Sequence, residues 1–262
     1  MSSTDTWNPQ QYEKFQQERE QPFFDLLDLV RPAPVMRVVD LGCGTGKQTR
    51  IVHDRLQARE TIGIDRSAKM LNSQRNSAMP TGLRFEVGTI EDFPGSHAPF
   101  DLIFSNAALH WVDDHEVLLP RLASALTPGG QLAFQVPAMH GEATHLVAEE
   151  IAAQEPFRSA LAGWHRVHAV LSPERYAAIL YRCGFPDPQA RLIVYPHVLP
   201  GPEAVIEWTK GTLLTEYARH LPPDLFDPFV ERYRAALLNC LEATRPYFFP
   251  FKRILCWGRR TA

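Results

Sequence analysis

Cysteine is scarce in this sequence, and the few cysteines are far apart. Cys43, Cys183, Cys240 and Cys256 form no C-x-x-C pair and no regular spacing. A zinc-binding motif and the framework of a disulfide-rich secreted domain are therefore both missing. We expect reduced thiols, no metal site and a cytoplasmic location.

Long apolar runs and an excess of charge are also missing. No apolar stretch approaches the roughly 20 residues of a membrane span, and the first residues are polar, so we expect neither a membrane segment nor a secretory signal. A net charge of −3 and a pI near 6.4 give no reason to expect nucleic acid or an anionic membrane as a partner. The 262 residues, 45% of them hydrophobic, can form one large globular core. The sequence does not define an oligomeric state and is compatible with a monomer.

The most informative segment is a glycine-rich stretch at residues 38–46. Two valines precede Asp40, glycines then alternate at Gly42, Gly44 and Gly46, and polar residues open a helix. This pattern predicts a buried strand, a tight turn and a helix N-terminus. Glycine tolerates positive φ and lets a ligand approach the backbone, and a helix N-terminus offers free N–H groups. A nucleotide-like cofactor is the natural occupant, and a purely structural turn is the alternative.

The glycine spacing separates two classes of cofactor. The dinucleotide fingerprint is G-x-G-x-x-G, whereas here the third glycine comes one residue early and an acid precedes the first by two. Asp40-x-Gly42-x-Gly44-x-Gly46 resembles the first motif of class I S-adenosylmethionine-dependent methyltransferases. That cofactor has an amino-acid tail with an ammonium group, which an acid at the end of a strand suits.

Strands and helices alternate along the next hundred residues. Further strands are predicted at 61–65, 83–87, 100–104 and 131–136, so we expect a parallel, doubly wound sheet. Ligands bind such sheets at the carboxyl ends of the strands. The side chains expected at that edge are Asp40, Asp65, Thr89, Asn106 and His110. Asp65 can accept hydrogen bonds from both ribose hydroxyls, because a carboxylate only accepts; a surface acid is the alternative.

Helices are predicted at 7–30, interrupted by Pro22, and at 47–56, 67–76, 120–126 and 173–183, with a turn at 128–130. Residues 200–249 are expected to be helical, between strands at 192–199 and 253–257. The predicted fold is α/β, with a mostly parallel, seven-stranded, Rossmann-like sheet and a helical lid. We divide the chain into a helical cover (1–30), a cofactor-binding half (31–137) and a remainder (138–262) that carries the lid at about 138–184 and 200–250.

Segments along nearly the whole chain resemble the trans-aconitate 2-methyltransferase family. They are Trp7-Asn8-Pro9 with Tyr12, Phe15, Arg19, Pro22 and Asp25-Leu26-Leu27; the glycine turn; Ser105-Asn106-Ala107-Ala108-Leu109 with Trp111-Val112; His197-Val198-Leu199-Pro200-Gly201-Pro202 with Glu207-Trp208 and Lys210-Gly211-Thr212; and Phe249-Pro250-Phe251. The glycine turn is specific for the class, and the segment at 197–212 is specific for the family.

The resemblance implies methyl transfer from S-adenosylmethionine to a carboxylate of a small di- or tricarboxylic acid. With the pattern, it gives the predicted cofactor-binding residues Arg19, Asp40, Gly42, Gly44, Gly46, Asp65, Arg66, Met70, Thr89, Ile90 and Asn106. The predicted substrate-binding residues are Trp7, Tyr12, His110, Trp111, His197, Trp208 and Lys210, with Lys252 and Arg253 as further candidate cations. Two positions depart from the family pattern. Thr89 stands where an acid binds the adenine amino group, and His110 stands where glutamine is expected.

A carboxylate acceptor needs no general base, because it is ionised at neutral pH and is its own nucleophile. The alternatives are a methyltransferase for another small acceptor, such as an acyl-carrier thioester or a natural-product hydroxyl or amine, and a non-catalytic cofactor-binding protein. For a hydroxyl acceptor, His110 could supply the base. A nicotinamide oxidoreductase is disfavoured by the glycine spacing.

Overall fold

The computed structural model describes residues 16–72, 79–93 and 99–261, with side chains from residue 20 onward. Its strands are β1 (Arg37–Leu41), β2 (Glu60–Asp65), β3 (Leu83–Val87), β4 (Phe100–Asn106), β5 (Leu126–Pro137), β6 (Gln189–Leu199) and β7 (Tyr247–Arg259). Its helices are α1 (Gln16–Leu27), α2 (Lys47–Leu56), α3 (Ala68–Asn72), α4 (His115–Ser124), α5 (Ala143–Ala152), α6 (Phe157–Ala160), α7 (Pro173–Arg182), α8 (Glu203–Lys210), α9 (Leu213–His220) and α10 (Pro223–Cys240), with a 3-10 turn at Leu109–Trp111. The predictions for Trp7, Tyr12 and the Arg19 side chain lie outside the described part.

The strands form one sheet in the order β3-β2-β1-β4-β5-β7-β6. The pairs β2/β3, β1/β2, β1/β4 and β4/β5 are parallel, and β5/β7 is antiparallel. The strand order reverses between β1 and β4, which leaves a crevice at their carboxyl ends where α/β sheets bind ligands. The predicted α/β fold with a mostly parallel seven-stranded sheet is confirmed, and the glycine turn follows β1 at that crevice.

Two glycines are required where an aromatic ring packs on the sheet. The ring of Phe85 in β3 occupies the space that a Cβ would need at Gly46 and at Gly63. A side chain at either glycine would force the ring out of its position. Gly46 therefore also serves packing, in addition to the turn that it ends.

The chain forms two compact units. The first, which we call the sheet unit, comprises residues 20–137 and 169–193 and the chain from residue 253; the described residues of the second, the helical unit, come mainly from 138–168 and 194–252. The helical unit has its own aromatic core, in which Tyr217 stacks on Phe229 at 4.7 Å between ring centroids and Phe229 contacts Phe157 edge-on at 5.2 Å. Burial of such rings contributes roughly 1.5–3 kcal/mol each.

Two elements differ from the sequence prediction because packing overrides a local signal. Pro22 lies inside α1 and does not interrupt it. The neighbouring Phe23 and Leu26 are fully buried, and the Phe23 ring meets Phe104 of β4 edge-on at 5.8 Å, so burial offsets the hydrogen bond that proline removes. The helix ends at Leu27, before the predicted residue 30.

The predicted turn at 128–130 is part of β5. Phe100 pairs with Leu126 and Leu102 with Gln131, so a short stretch of β4 faces a longer stretch of β5. Gly129 takes up the irregularity with φ of +73°. A glycine pair that reads as a turn is here a bulge within a strand.

The boundaries of other elements also differ from the predicted ones. Helix α4 begins at His115 and not at residue 120, because Asp114 caps it by accepting a hydrogen bond from Val117 N at 3.2 Å. The helix predicted at 173–183 is confirmed in α7, and Ser172 caps it by accepting a hydrogen bond from Arg175 N. β6 begins at residue 189, and β7 begins at Tyr247, so the helical stretch predicted to reach 249 ends at Cys240. Within the described ranges, no helix is both long enough and apolar enough to cross a lipid bilayer.

Candidate active site

All three glycines of the turn adopt left-handed backbone conformations. Their φ angles are +73° at Gly42, +57° at Gly44 and +76° at Gly46. The N–H groups of Gly42 and Cys43 donate to Ile64 O at 2.8 and 3.0 Å, which ties the turn to the end of β2. A side chain at these positions would be strained.

The three glycines meet different surroundings. A Cβ at Gly42 would collide with Ala108, and one at Gly46 would collide with Phe85, whereas at Gly44 the nearest atom is Met70 Cε at 3.6 Å. Gly42 and Gly46 are therefore needed for packing within the protein. Gly44 is the position where the missing side chain leaves open space against the backbone, as a bound cofactor requires.

Asp65 is fixed against this turn by two backbone groups. Gly44 N donates to Asp65 Oδ2 and Ser67 N donates to Asp65 Oδ1, both at 2.8 Å. Each carboxylate oxygen keeps a second lone pair. The side chain is thus held at the end of β2 and can still accept from a diol such as the ribose.

Asp40 is a buried carboxyl group at the end of β1, with 3% of its surface exposed. Burial raises the pKa of Asp40 to about 7, helped by repulsion from Asp65 and opposed by a hydrogen bond from Thr49 Oγ1 at 2.6 Å. Among the residues that the structure describes, no lysine or arginine forms an ion pair with Asp40. A ligand cation would stabilise the ionised form of this group.

Cys43 belongs to the same turn, between Gly42 and Gly44. Its Sγ is 3.0 Å from the position of a Cβ on Gly63, so the thiol packs on β2. Burial is the main cause that raises the pKa of Cys43, and repulsion from Asp40 and Asp65 raises it further. The thiol is neutral throughout the physiological pH range.

A chain of side-chain amides crosses the carboxyl edge of the sheet. Arg253 Nη1 donates to Gln135 Oε1 at 3.0 Å, Gln135 Nε2 to Asn106 Oδ1 at 2.7 Å, and Asn106 Nδ2 to Gln48 Oε1 at 2.8 Å. Of these, only Asn106 was predicted as a cofactor contact and Arg253 as a candidate cation. The signal for Gln135 is a long amide inside the apolar strand 132–136; Gln48 gave no signal.

His110 and Trp111 lie in the 3-10 turn after β4, with ring centroids 4.7 Å apart. The turn is anchored by the buried His115, whose Nε2 lies 2.9 Å from Leu109 O and whose Nδ1 lies 2.6 Å from the Tyr176 hydroxyl. Burial lowers the pKa of His115, which keeps the ring neutral. His115 and Tyr176 position the turn that carries His110.

Thr89 and Ile90 follow β3. The Thr89 hydroxyl donates to Asp92 Oδ2 at 2.7 Å and accepts from Asp92 N at 3.2 Å, so an acid is adjacent to the position where the family pattern has one. Ile90 is 9% exposed, and its Cδ1 is 3.6 Å from the position of a Cβ on Gly42. Ile90 therefore lies against the glycine turn.

The sheet unit brings most of the predicted cofactor residues together. Those beside the turn are Asp40, Gly42, Gly44, Gly46, Asp65, Met70 and Ile90, with Asn106 joined to α2 through Gln48. Arg66 follows Asp65 and is exposed. Their assignment to cofactor binding stays a prediction.

Three predicted substrate residues lie in the helical unit. His197 is 4% exposed and stacks on Trp208 at 4.9 Å, within an aromatic cluster that includes Phe251. Lys210 forms an ion pair with Glu207 at 2.9 Å, and Lys252 forms one with Glu142. His197 and Trp208 are thus core residues of their unit, whereas the Lys210 side chain is 41% exposed.

The turn fits S-adenosylmethionine in shape and charge. The space at Gly44 admits a ligand to the backbone, and Asp65 offers acceptors for the ribose. The buried Asp40 has no cationic partner among the described side chains, and the ammonium of the cofactor would supply one. With the strand order and the site at its switch point, this arrangement defines a class I S-adenosylmethionine-dependent methyltransferase.

Comparison with known proteins identifies the family. Residues 38–130 match a family model described as "Methyltransferase domain". A trans-aconitate 2-methyltransferase of Deinococcus radiodurans is 43% identical over 95% of this chain and 96% of the relative, and that of Variovorax paradoxus is 37% identical over 97% and 95%. The YcgJ protein of Bacillus subtilis shares the fold, with a TM-score of 0.62 at 17% identity over 93% of this chain and 99% of that chain. The chain belongs to the trans-aconitate 2-methyltransferase family.

Proposed function

We propose that the enzyme methylates a carboxylate of trans-aconitate or of a closely similar small polycarboxylate. The observation that carries this proposal is the 43% identity, along 95% of this chain, with a relative named trans-aconitate 2-methyltransferase. The likeness includes the helical unit as well as the sheet. The acceptor is therefore inferred from the whole chain and not from the cofactor motif alone.

When bound, S-adenosylmethionine supplies a methyl group on a positively charged sulfur. Asp40 would bind the ammonium of the amino-acid tail and would release its proton to solvent as it does so. Asp65 would accept hydrogen bonds from the ribose, and Gly44 would give access to the backbone. We assign Ile90 and Thr89 to the part of the cofactor site that would hold the adenine ring, with Asp92 hydrogen-bonded to Thr89. Arg66, Met70 and Arg19 remain proposed cofactor contacts.

The proposed reaction requires no protein base. The acceptor carboxylate is the nucleophile, so the protein has to orient it and exclude water. We assign His110 and Trp111 to the acceptor, with His110 as a hydrogen-bond donor. An acceptor hydroxyl or amine would instead need His110 to accept a proton.

We also propose that the helical segments at about 138–184 and 200–250, with residues 1–30, act as a lid for the acceptor. The support is the family-like segment at 197–212 and the exposed cation Lys210. Trp208 and His197 would shape the acceptor site from the aromatic cluster, and Trp7 and Tyr12 from the N-terminal segment. Hydrogen exchange with and without S-adenosylhomocysteine plus a tricarboxylate tests this, and unchanged protection in all three segments would contradict it.

The proposed substrate is tested by a methyl-transfer screen. The enzyme is incubated with S-adenosylmethionine and a panel of di- and tricarboxylic acids, phenols and amines, and each product is identified by mass. We expect a monomethyl ester of trans-aconitate or a near analogue, which mild alkali hydrolyses back to the acid. An alkali-stable product from a hydroxyl or amine would contradict carboxylate methylation. Gly44→Val is the matched inactive control.

The proposal keeps three further expectations. The partner is a small anion, not nucleic acid or membrane, and the enzyme is cytoplasmic. A monomer is compatible with the sequence, and light scattering on the purified protein would establish its oligomeric state.

A further inference from the structure

The direction of every hydrogen bond in the amide chain is fixed by its buried end. Arg253 is 4% exposed, and a guanidinium can only donate. The Gln135 atom that contacts Arg253 must therefore be the oxygen, which turns the Gln135 Nε2 group toward Asn106. The same reasoning makes Asn106 Oδ1 the acceptor and sends Asn106 Nδ2 toward Gln48.

The chain ends at Gln48 with unused donors. Gln48 Oε1 accepts from Asn106 at 2.8 Å, so the two N–H bonds of Gln48 Nε2 point elsewhere. Within the ranges that the structure describes, the Gln48 side chain makes no other hydrogen bond. The chain runs from a buried cation to a half-buried amide, two residues after Gly46 and in the first turn of α2.

The first turn of α2 therefore presents two opposite polarities. Thr49 contacts the acid Asp40, and the adjacent Gln48 is linked to the cation Arg253. The N-terminus of this ten-residue helix also favours an anion. An α-amino acid, with its ammonium and carboxylate on one carbon, matches this pair of polarities.

We propose that Gln48 donates a hydrogen bond to the carboxylate of the cofactor's amino-acid tail. Arg253 is the positioning residue: it makes Gln48 a donor by orienting the amides of Gln135 and Asn106. The inference concerns the cofactor and does not depend on which acceptor is methylated.

A single substitution reverses the donor–acceptor direction of the hydrogen bonds along the amide chain. In Gln135→Glu the side chain can only accept, so it takes hydrogen bonds from Arg253 and from Asn106 Nδ2. Asn106 then turns its oxygen to Gln48, which donates inward and presents its own oxygen at the open end. Gln48→Glu places an acceptor there directly. Both variants set an oxygen against the cofactor carboxylate.

Calorimetry with two ligands tests the inference. S-Adenosylhomocysteine has the amino-acid tail, whereas 5′-methylthioadenosine has the same adenosine and sulfur without it. We expect Gln48→Glu and Gln135→Glu to lower the affinity for S-adenosylhomocysteine roughly ten- to hundredfold, as for loss of a charge-assisted hydrogen bond. Affinity for 5′-methylthioadenosine should not change.

Gln131→Glu is the matched control on the same strand. Gln131 is buried, and it bonds Arg31 O, Arg31 N and Trp257 Nε1 at 2.7, 2.9 and 3.0 Å, away from the amide chain. Its substitution should lower the melting temperature without changing the ratio of the two affinities. If Gln48→Glu lowered the affinity for both ligands equally, or changed neither affinity, the proposal would be overturned. If Gln135→Glu does not fold, the Gln48→Glu result decides, because Gln48 is only half-buried.

Discussion

Replacing Asp40, the buried acid beside the glycine turn, should make the ligand-free enzyme more stable and weaken its binding of the cofactor. Asp40→Asn keeps the shape of the side chain and the acceptor for Thr49 Oγ1, but removes the ionisation. In the absence of ligand, the charged form of Asp40 is buried without an ion pair among the described residues. This buried charge lowers the free energy of unfolding of the wild-type protein at every pH at which Asp40 is ionised.

The pKa of Asp40 sets the size and pH range of this effect. The pKa is about 7 in the folded protein, against 3.8 for an ordinary aspartate such as that of the unfolded chain. Between these values the folded chain retains a proton that the unfolded chain has lost, so stability falls as pH rises. The slope reaches roughly 1.4 kcal/mol per pH unit, which amounts to about 4 kcal/mol above neutral pH. Asp40→Asn does not lose this stability, so it should exceed the wild type by a few kcal/mol at about pH 8.

Cofactor binding should show the opposite dependence. Below a pH of about 7 the wild type must release the Asp40 proton to pair with the ligand ammonium, so affinity for S-adenosylhomocysteine should rise up to tenfold per pH unit and then level off. Asp40→Asn should bind weakly, without this rise. Thr49→Val removes the hydrogen bond that lowers the pKa, so it should move the levelling point upward.

Urea unfolding and calorimetry across this pH range measure both effects. Two results would refute the reasoning. One is a ligand-free Asp40→Asn variant that is less stable than the wild type above neutral pH. The other is a wild-type affinity that is the same on both sides of the Asp40 pKa.

Four further predictions concern the glycine turn and the 3-10 turn after β4. Gly44→Val should abolish S-adenosylhomocysteine binding in calorimetry, and retained wild-type affinity would show that the cofactor lies elsewhere. His110→Gln should retain most of kcat, and the wild-type rate on carboxylic acids should be flat between roughly pH 6.5 and 9 at saturating cofactor. A large loss of kcat in the variant, or a steep rise of the wild-type rate near pH 7, would favour a base-dependent acceptor. Tyr176→Phe leaves His115 Nδ1 and Leu171 N without the hydroxyl and should cost about 1–3 kcal/mol in urea unfolding. Because burial lowers the pKa of His115, the stability of Asp40→Asn, in which the opposing titration of Asp40 is absent, should fall as pH drops below the ordinary histidine value. Unchanged stability of that variant over this range would contradict a neutral His115.

The sequence predicted the turn and the strands beside it because their signals are local. Gly42, Gly44 and Gly46 need left-handed backbone, and no other residue type fits all three positions easily. Alternating patterns also placed Asp40 and Asp65 at the ends of neighbouring parallel strands. Since parallel strands end at one edge, the location of the candidate site followed from the order of elements.

The amide chain could not be predicted in the same way. Its members come from α2, β4, β5 and β7, and the pairing of β5 with β7 depends on an antiparallel register that no local pattern encodes. The sequence did not predict the helix through Pro22 or the bulge at Gly129, for a related reason. In both, tertiary packing and strand pairing outweigh the residue that usually ends an element.

Cys43 is a nucleophilic residue within the turn to which we assign an alkylating cofactor. S-Adenosylmethionine methylates electron-rich sulfur, and the reactive form of a cysteine is the thiolate. Burial of the thiol against β2 and the nearby carboxyl groups of Asp40 and Asp65 keep this sulfur protonated. In the proposed cofactor site, the acids that suit the turn to a cationic cofactor would therefore also suppress methylation of Cys43.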